Sequence, residues 1–237
     1  MKRPGFDHGA VSALCRRVFD ALDWSALGEI YFHDDGESRW REKRRPLLEL
    51  GERLARTLLR RLPRRGASLW VGAGVAELPV MLAESLLCER NVVAANLRQR
   101  ECEVLNAGLV AAAPEVAWRF VAADARQAEP GAGFDHLGCV SLFTDPETWP
   151  ELSGVAYGRI APVQVDVERF VAEREQARAL AAALFARLQR PGLITTSAEE
   201  VAWFLEPAAA AGAVVDADEE LVETAVVGDP VGFLAVR

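Results

Sequence analysis

The chain has 237 residues, 51% of them hydrophobic and 26% charged, with a formal net charge of −8. This is the composition of a soluble globular protein with enough apolar surface for one elaborated domain. The acidic balance excludes the global basic footprint on which nucleic-acid binders depend. No apolar run reaches the roughly 20 residues of a membrane span, and Met1–His8 lacks the apolar stretch of a secretory signal. Cys15, Cys88, Cys102 and Cys139 are scattered without a C-x-x-C pair. Neither a zinc site nor a disulfide framework is expected, and a reducing cytoplasm is the natural compartment.

In chain order, Val11, Leu14, Val18, Phe19 and Leu22 recur at helical spacing. The polar and aromatic stretch from Trp24 to Arg45 reads as a loop or irregular cap. A second helix is expected from near Pro46 through Leu47, Leu50, Leu54, Leu58 and Leu59, until Pro63 and Gly66 break the pattern. The basic runs Arg39–Arg45 and Arg60–Arg65 read as solvated helix faces or ends. Residues 1–65 thus form an N-terminal helical cap.

From Ala67 the rhythm changes to short apolar runs alternating with helical stretches. Strands are expected at Ser68–Val71, Asn91–Ala95, Val116–Ala122, Phe134–Phe143 and Leu193–Thr196. Helices are expected at Glu77–Leu87, Arg98–Val110, from an Asp166 N-cap to Pro191-Gly192, and at Glu199–Leu205. Such alternation implies a parallel sheet with helices on both faces. Glu223–Val227 and Val231–Val236 flank Gly228-Asp229-Pro230, so the chain closes with an antiparallel hairpin.

A strand that ends in Gly-x-Gly and feeds a helix sets backbone N–H groups beside a ligand at the carboxyl edge of a sheet. Gly72 permits the turn and Gly74 permits close approach. Asn96, closing the second strand, can hydrogen-bond ribose hydroxyls. Asp124, after the third, can accept a proton from an exocyclic amine such as that of adenine. The fourth strand ends near Ser141-Leu142-Phe143.

On these residues the segment from about Ala67 to Arg237 resembles the class I S-adenosylmethionine-dependent methyltransferases. Gly72, Gly74 and Ala76 match that family's Gly-x-Gly-x-Gly loop, Asn96 its ribose-binding acid, Asp124 its adenine-binding residue, and the closing hairpin its antiparallel seventh strand. The resemblance implies a doubly wound α/β domain over residues 66–237 with a mostly parallel seven-stranded sheet. It also implies an S-adenosylmethionine site formed by Val71, Gly72, Ala73, Gly74, Asn96, Leu97, Asp124, Ala125, Ser141 and Leu142. Three positions depart from the pattern: Trp70 stands where the family has an acid two residues before the first glycine, Ala76 replaces the third glycine, and Asn96 replaces the ribose acid.

Methyl transfer depends mainly on alignment of the acceptor, and a base is needed only where the acceptor must lose a proton. Asp145 and His33 are the candidate bases; the alternatives are a turn or helix cap ahead of Pro146 and an exposed loop residue. Trp40, Arg39, Arg41, Tyr31 and Phe32 either close the mouth of the site or pack the cap onto the domain. Ser153–Arg159 is a substrate lid or a plain connection. The expected function is methyl transfer to a small molecule, without nucleic-acid, membrane or metal partners and with a homodimer as one assembly. The rivals are a degenerate member acting as a binding or scaffold protein, motivated by Trp70, Ala76 and Asn96, and a nicotinamide-dependent dehydrogenase. Against the latter, Gly-x-Gly-x-x-Gly would need glycine where Glu77 stands.

Overall fold

Strand order shows what the alternation after Ala67 builds. The computed structural model describes residues 7–32, 36–127, 133–223 and 229–237. Among them are seven strands: β1 (Ala67–Val71), β2 (Asn91–Asn96), β3 (Phe120–Ala122), β4 (Phe134–Cys139), β5 (Leu188–Ser197), β6 (Val215–Ala217) and β7 (Val231–Val236). They form one sheet in the order β3-β2-β1-β4-β5-β7-β6. Strands β1 to β5 pair in parallel, and β7 runs antiparallel to both β5 and β6. The order reverses between β1 and β4, which opens a crevice at the carboxyl ends of the strands, where doubly wound sheets take their ligands.

The helices are α1 (His8–Ala21), α2 (Trp24–Phe32), α3 (Gly36–Leu59), α4 (Leu78–Leu87), α5 (Gln99–Ala112), α6 (Pro150–Ala156), α7 (Val167–Arg187) and α8 (Ala202–Ala210). Side-chain alternation along β1 divides them between two faces. Trp70 points into a core shared with α1 to α5, whereas Leu69 and Val71 point into one shared with α7 and α8. The first core is continuous from Leu14 and Leu27 through Leu54 to Trp70 and Phe233, so residues before Gly66 pack into the same apolar layer as the sheet.

Several expectations are met in detail. Asp166 caps α7, its Oδ1 accepting the Arg169 N–H at 3.0 Å. The glycine turn lies between β1 and α4, and α5 follows β2 directly. Other expectations are corrected. The stretch Trp24–Arg45 is not a loop: α2 occupies its first part, and α3 starts at Gly36 and continues through Pro46. Proline forfeits one helical hydrogen bond. Here the helix persists because Trp40, Leu47, Leu50, Leu54 and Leu58 bury one continuous stripe. Trp24 and Tyr31 of α2 each meet Trp40 edge-on with ring centroids 5.4 Å apart, which locks α2 to α3. The helix before β5 ends at Arg187, not at Pro191-Gly192, because the backbone turns extended at Leu188. The third strand is only Phe120–Ala122; Val116 and Trp118 ahead of it are buried without joining the ladder. At the C-terminus, the partner of β7 outside β5 is Val215–Ala217. Of the expected first hairpin arm Glu223–Val227, residues 224–227 lie outside the described residues, and Val222 makes a lone bridge to Val231.

Candidate cofactor site at the carboxyl edge

Strand register sets the site. Val71 pairs with Ala95, Asn96 with Ala122, Cys139 with Thr196 and Ser197 with Val231. The residues that follow each pair, Gly72, Leu97, Ala123-Asp124 and Val140-Ser141, therefore share one edge of the sheet.

The glycine loop is built tightly. Gly72 has φ +68°, a conformation that favours glycine, and donates its N–H to Ala95 O at 2.8 Å. A Cβ there would lie 3.3 Å from Leu142 Cδ1, so Leu142 closes one side of the turn. Gly74 donates its N–H to Glu77 Oε2 at 2.8 Å. On its other side a Cβ would stand 2.7 Å from Glu101 Oε1 and 3.1 Å from the Tyr31 hydroxyl oxygen. Ala73 O accepts from Asn96 Nδ2 at 3.0 Å.

The end of β2 is equally committed. Asn96 Nδ2 also donates to Glu101 Oε2 at 3.1 Å, and Asn96 Oδ1 accepts the Arg98 N–H at 2.9 Å, which leaves one lone pair on Oδ1. The Tyr31 hydroxyl donates to Glu101 Oε1. Arg98 lies 3.8 Å from Glu101, 3.2 Å from Asp145 and 2.9 Å from Glu147, with its guanidinium 5.5 Å from the centre of the Tyr31 ring. Four carboxylates and one guanidinium thus meet beside the glycine loop.

Burial governs how these groups titrate. It pushes Glu77 up to about 7, against the backbone N–H groups of Gly74 and of Glu77 itself, with Glu101 adding like charge. Burial also raises Glu101, opposed by the Tyr31 hydroxyl, Arg98 and Asn96. Burial and the Glu101 charge hold the Tyr31 phenol well above its ordinary range.

Asp124 stands apart from this cluster. Its carboxylate is paired with Arg126, whose Nε lies 2.9 Å from Oδ2 and whose N–H donates to Oδ1 at 2.9 Å. Those bonds hold Asp124 below its usual range. Ala125 beside it is buried, with its carbonyl accepting from Arg187 at 2.7 Å. Leu97 is 66% exposed, an apolar surface facing solvent between Asn96 and the Asp124 turn.

On the β4 side, Ser141 takes φ +54°, uncommon for a residue with a Cβ. Its N–H donates to Ser197 Oγ at 2.9 Å. The following residues are pinned from beneath by Glu200, whose Oε1 accepts from Phe143 N at 2.6 Å and from Thr144 N and Oγ1 at 3.1 Å each. Burial pushes Glu200 up to about 7. Asp145 is a turn anchor: Thr148 Oγ1 donates to it at 2.7 Å and Arg98 at 3.2 Å. His33 lies outside the described residues. His136 is wholly buried between Ser68 and Thr195, with Glu84 Oε1 3.2 Å from Nδ1.

Sequence reasoning missed Glu77, Glu101, Arg98 and Glu200. Glu101 looks like a helix-surface residue until α5 turns its first turn inward. Glu77 was informative only as the absence of a glycine.

No protein-family model matches the sequence, and no curated protein matches it. Solved structures do. A precorrin-6y C5,15-methyltransferase from Geobacter metallireducens GS-15 superposes with a TM-score of 0.51 at 13% identity, over 78% of this chain and 87% of that one. TrmN from Thermus thermophilus gives 0.47 at 20% identity over 77% and 48%, and a SAM-dependent O-methyltransferase from Thermotoga maritima gives 0.46 at 10% over 78% and 63%. This chain thus spans less than two thirds of the latter two. With the observed strand order, the first of these likenesses identifies the architecture as the Rossmann-like fold of the class I methyltransferases, carried here by a divergent sequence.

Proposed function

We propose that this protein binds S-adenosylmethionine at the glycine loop and transfers its methyl group to a small-molecule acceptor. The observation that carries the reading is the position of Glu77 and Glu101. The family pattern lacks its acids at Trp70 and Asn96, but carboxylates return close by: Glu77 on the Gly74 N–H, and Glu101 on the Asn96 side chain. The departures therefore relocate negative charge and do not delete it, which favours a working site over a degenerate one.

The same arrangement disfavours a dinucleotide. A pyrophosphate needs free N–H donors and a positive field. Here the Gly72 and Gly74 N–H groups are both spent inside the protein, and the neighbouring charge is predominantly negative. A cationic ligand fits this field. Leu97 offers an apolar face for an adenine ring, with Asp124 at hand for its amine and Asn96 Oδ1 for a ribose hydroxyl.

When bound, S-adenosylmethionine supplies an electrophilic methyl group. This chain's residues would orient it, through the Gly72 turn closed by Leu142, and hold the acceptor against it. On the β4–β5 side the partly exposed Ser141 offers a neutral hydroxyl suited to a small polar acceptor, and the acidic edge repels polyphosphate backbones. Asp145 serves the turn and Arg98, so no base is assigned to it.

Calorimetric titration with S-adenosylmethionine, S-adenosylhomocysteine and NAD tests the reading. Micromolar binding of the first two with none of NAD is expected. Absence of binding at about 1 mM of all three returns the scaffold alternative.

A further inference from the structure

Glu77 and Glu101 converge on Gly74 from two different elements, the start of α4 and the first turn of α5. Both are buried, at 8% and 0% exposure. The charged and titratable groups around them come from each neighbouring element. From α2 the Tyr31 hydroxyl donates to Glu101. Arg98, just before α5, lies 3.8 Å from Glu101. From the segment after β4, Asp145 and Glu147 draw on the same guanidinium at 3.2 and 2.9 Å. From α3, among the described residues, the uncharged Gly51 approaches the loop, where a Cβ would fall 2.8 Å from Ala76 O.

Two carboxylates in one water-poor site resist ionising together, and their titration belongs to the pair. Arg98 is divided among three carboxylates, so it does not neutralise both members. Near neutral pH the pair therefore holds a proton, in keeping with the raised values of both groups. A ligand that brings a fixed positive charge to this loop favours the fully ionised pair and drives that proton into solution. A ligand of the same shape without the charge does not.

We propose that binding of the sulfonium donor expels a proton from the Glu77–Glu101 pair, so that the protein tells S-adenosylmethionine from S-adenosylhomocysteine by charge, and more strongly as pH rises. The inference rests on the methyl-donor reading above. It makes Glu77 and Glu101 specificity-determining residues. When the bound sulfur is uncharged the pair keeps its proton, and the grip on the spent donor is correspondingly weaker.

The test is calorimetric titration of the full chain with both ligands at pH 6 and pH 8, each in two buffers of different ionisation enthalpy. S-adenosylmethionine should bind about tenfold more tightly at the higher pH, with a buffer-dependent heat that reports proton release. S-adenosylhomocysteine should change far less, and two glutamine variants separate the response of the pair from titration of each ligand's own α-amino group. Glu77→Gln keeps an oxygen to accept the Gly74 N–H and should erase the pH dependence of the ratio, and thermal melting checks that it folds. Glu101→Gln gives the same reading if Glu77→Gln does not fold. An equal pH response for both ligands in the wild type overturns the inference alone, as does an undiminished response in both variants. No binding of either ligand at about 1 mM overturns the methyl-donor reading and this inference with it.

Discussion

Trp70 and Gly138 are register partners on adjacent parallel strands, and the indole of the first fills the space that a side chain on the second would need. A Cβ on Gly138 would fall 2.2 Å from the Trp70 ring. The ring also meets His136 edge-on at 5.3 Å. The tryptophan near the end of β1, ahead of the glycine turn, is therefore a wedge in the core, fitted by a glycine on the neighbouring strand. Gly138→Ala should destabilise the protein by about 1–3 kcal/mol, the usual cost of overpacking. Trp70→Leu/Gly138→Ala should cost less than the sum of the two single changes. Urea unfolding of the three variants checks the coupling; strict additivity would show that the two residues do not share this space.

Glu77 and Glu200 predict an unusual pH dependence of stability. Both carboxylates are raised to about 7 in the folded protein from an ordinary glutamate value of 4.5. A raised folded value means that the native state binds more protons than the unfolded chain between these limits. The stability they contribute is fully present below about pH 4.5 and is lost as pH climbs through about 7. Each could remove on the order of 2–3 kcal/mol over that window. Glu200→Gln can keep its acceptor oxygen toward Phe143 and Thr144 while donating to Thr196 Oγ1, which now lies 3.1 Å from Oε2. It should match the wild type near pH 5 and exceed it at pH 8. Denaturant midpoints at the two values decide this, and a variant that is less stable at both would refute the titration argument.

The legible part of this protein was the part governed by local periodicity and by turns. The Gly72 turn, the Asp166 cap and the strand–helix rhythm around Asn96 all follow from short-range rules, and the fold class followed from them. The α2–α3 pair was not legible. Its apolar positions, Trp24, Leu27 and Trp40, are diluted by the exposed Arg39, Arg41 and Arg45, so the stripe shows only once Trp24 and Trp40 are seen in contact. The charge balance of the site was hidden for a related reason. A glutamate on a helix reads as solvated, and nothing local to Glu101 reveals that Tyr31, 70 positions earlier, donates to it.

Asp124 offers a separate test of the adenine subsite, because its present partner can be removed without touching it. Arg126 is exposed and occupies both carboxylate oxygens of Asp124. If Asp124 holds an adenine amine, Asp124→Ala should weaken S-adenosylmethionine binding by about tenfold, the scale of one charge-assisted hydrogen bond. Arg126→Ala should leave affinity unchanged or improve it, since it frees the acceptor. Titrations of both variants would refute the subsite if Asp124→Ala binds normally while remaining folded.

Gly74→Ala separates the fold from the site. The added methyl would meet only the ends of two side chains, Glu101 Oε1 at 2.7 Å and the Tyr31 hydroxyl at 3.1 Å. Side-chain ends can swing aside, so the sheet and the β1–α4 connection should survive with a loss of about 1–2 kcal/mol. The Tyr31–Glu101 bond cannot survive unchanged, because its two atoms are the ones displaced. Glu101 then loses a donor and Asn96 loses its fixed partner, so the negative charge beside the loop is no longer held in place. S-adenosylmethionine affinity should fall by more than about tenfold, which corresponds to about 1.4 kcal/mol, while circular dichroism stays that of the wild type. Unchanged affinity in a folded Gly74→Ala protein would place the ligand elsewhere on the edge, away from the pair of carboxylates that the loop encloses.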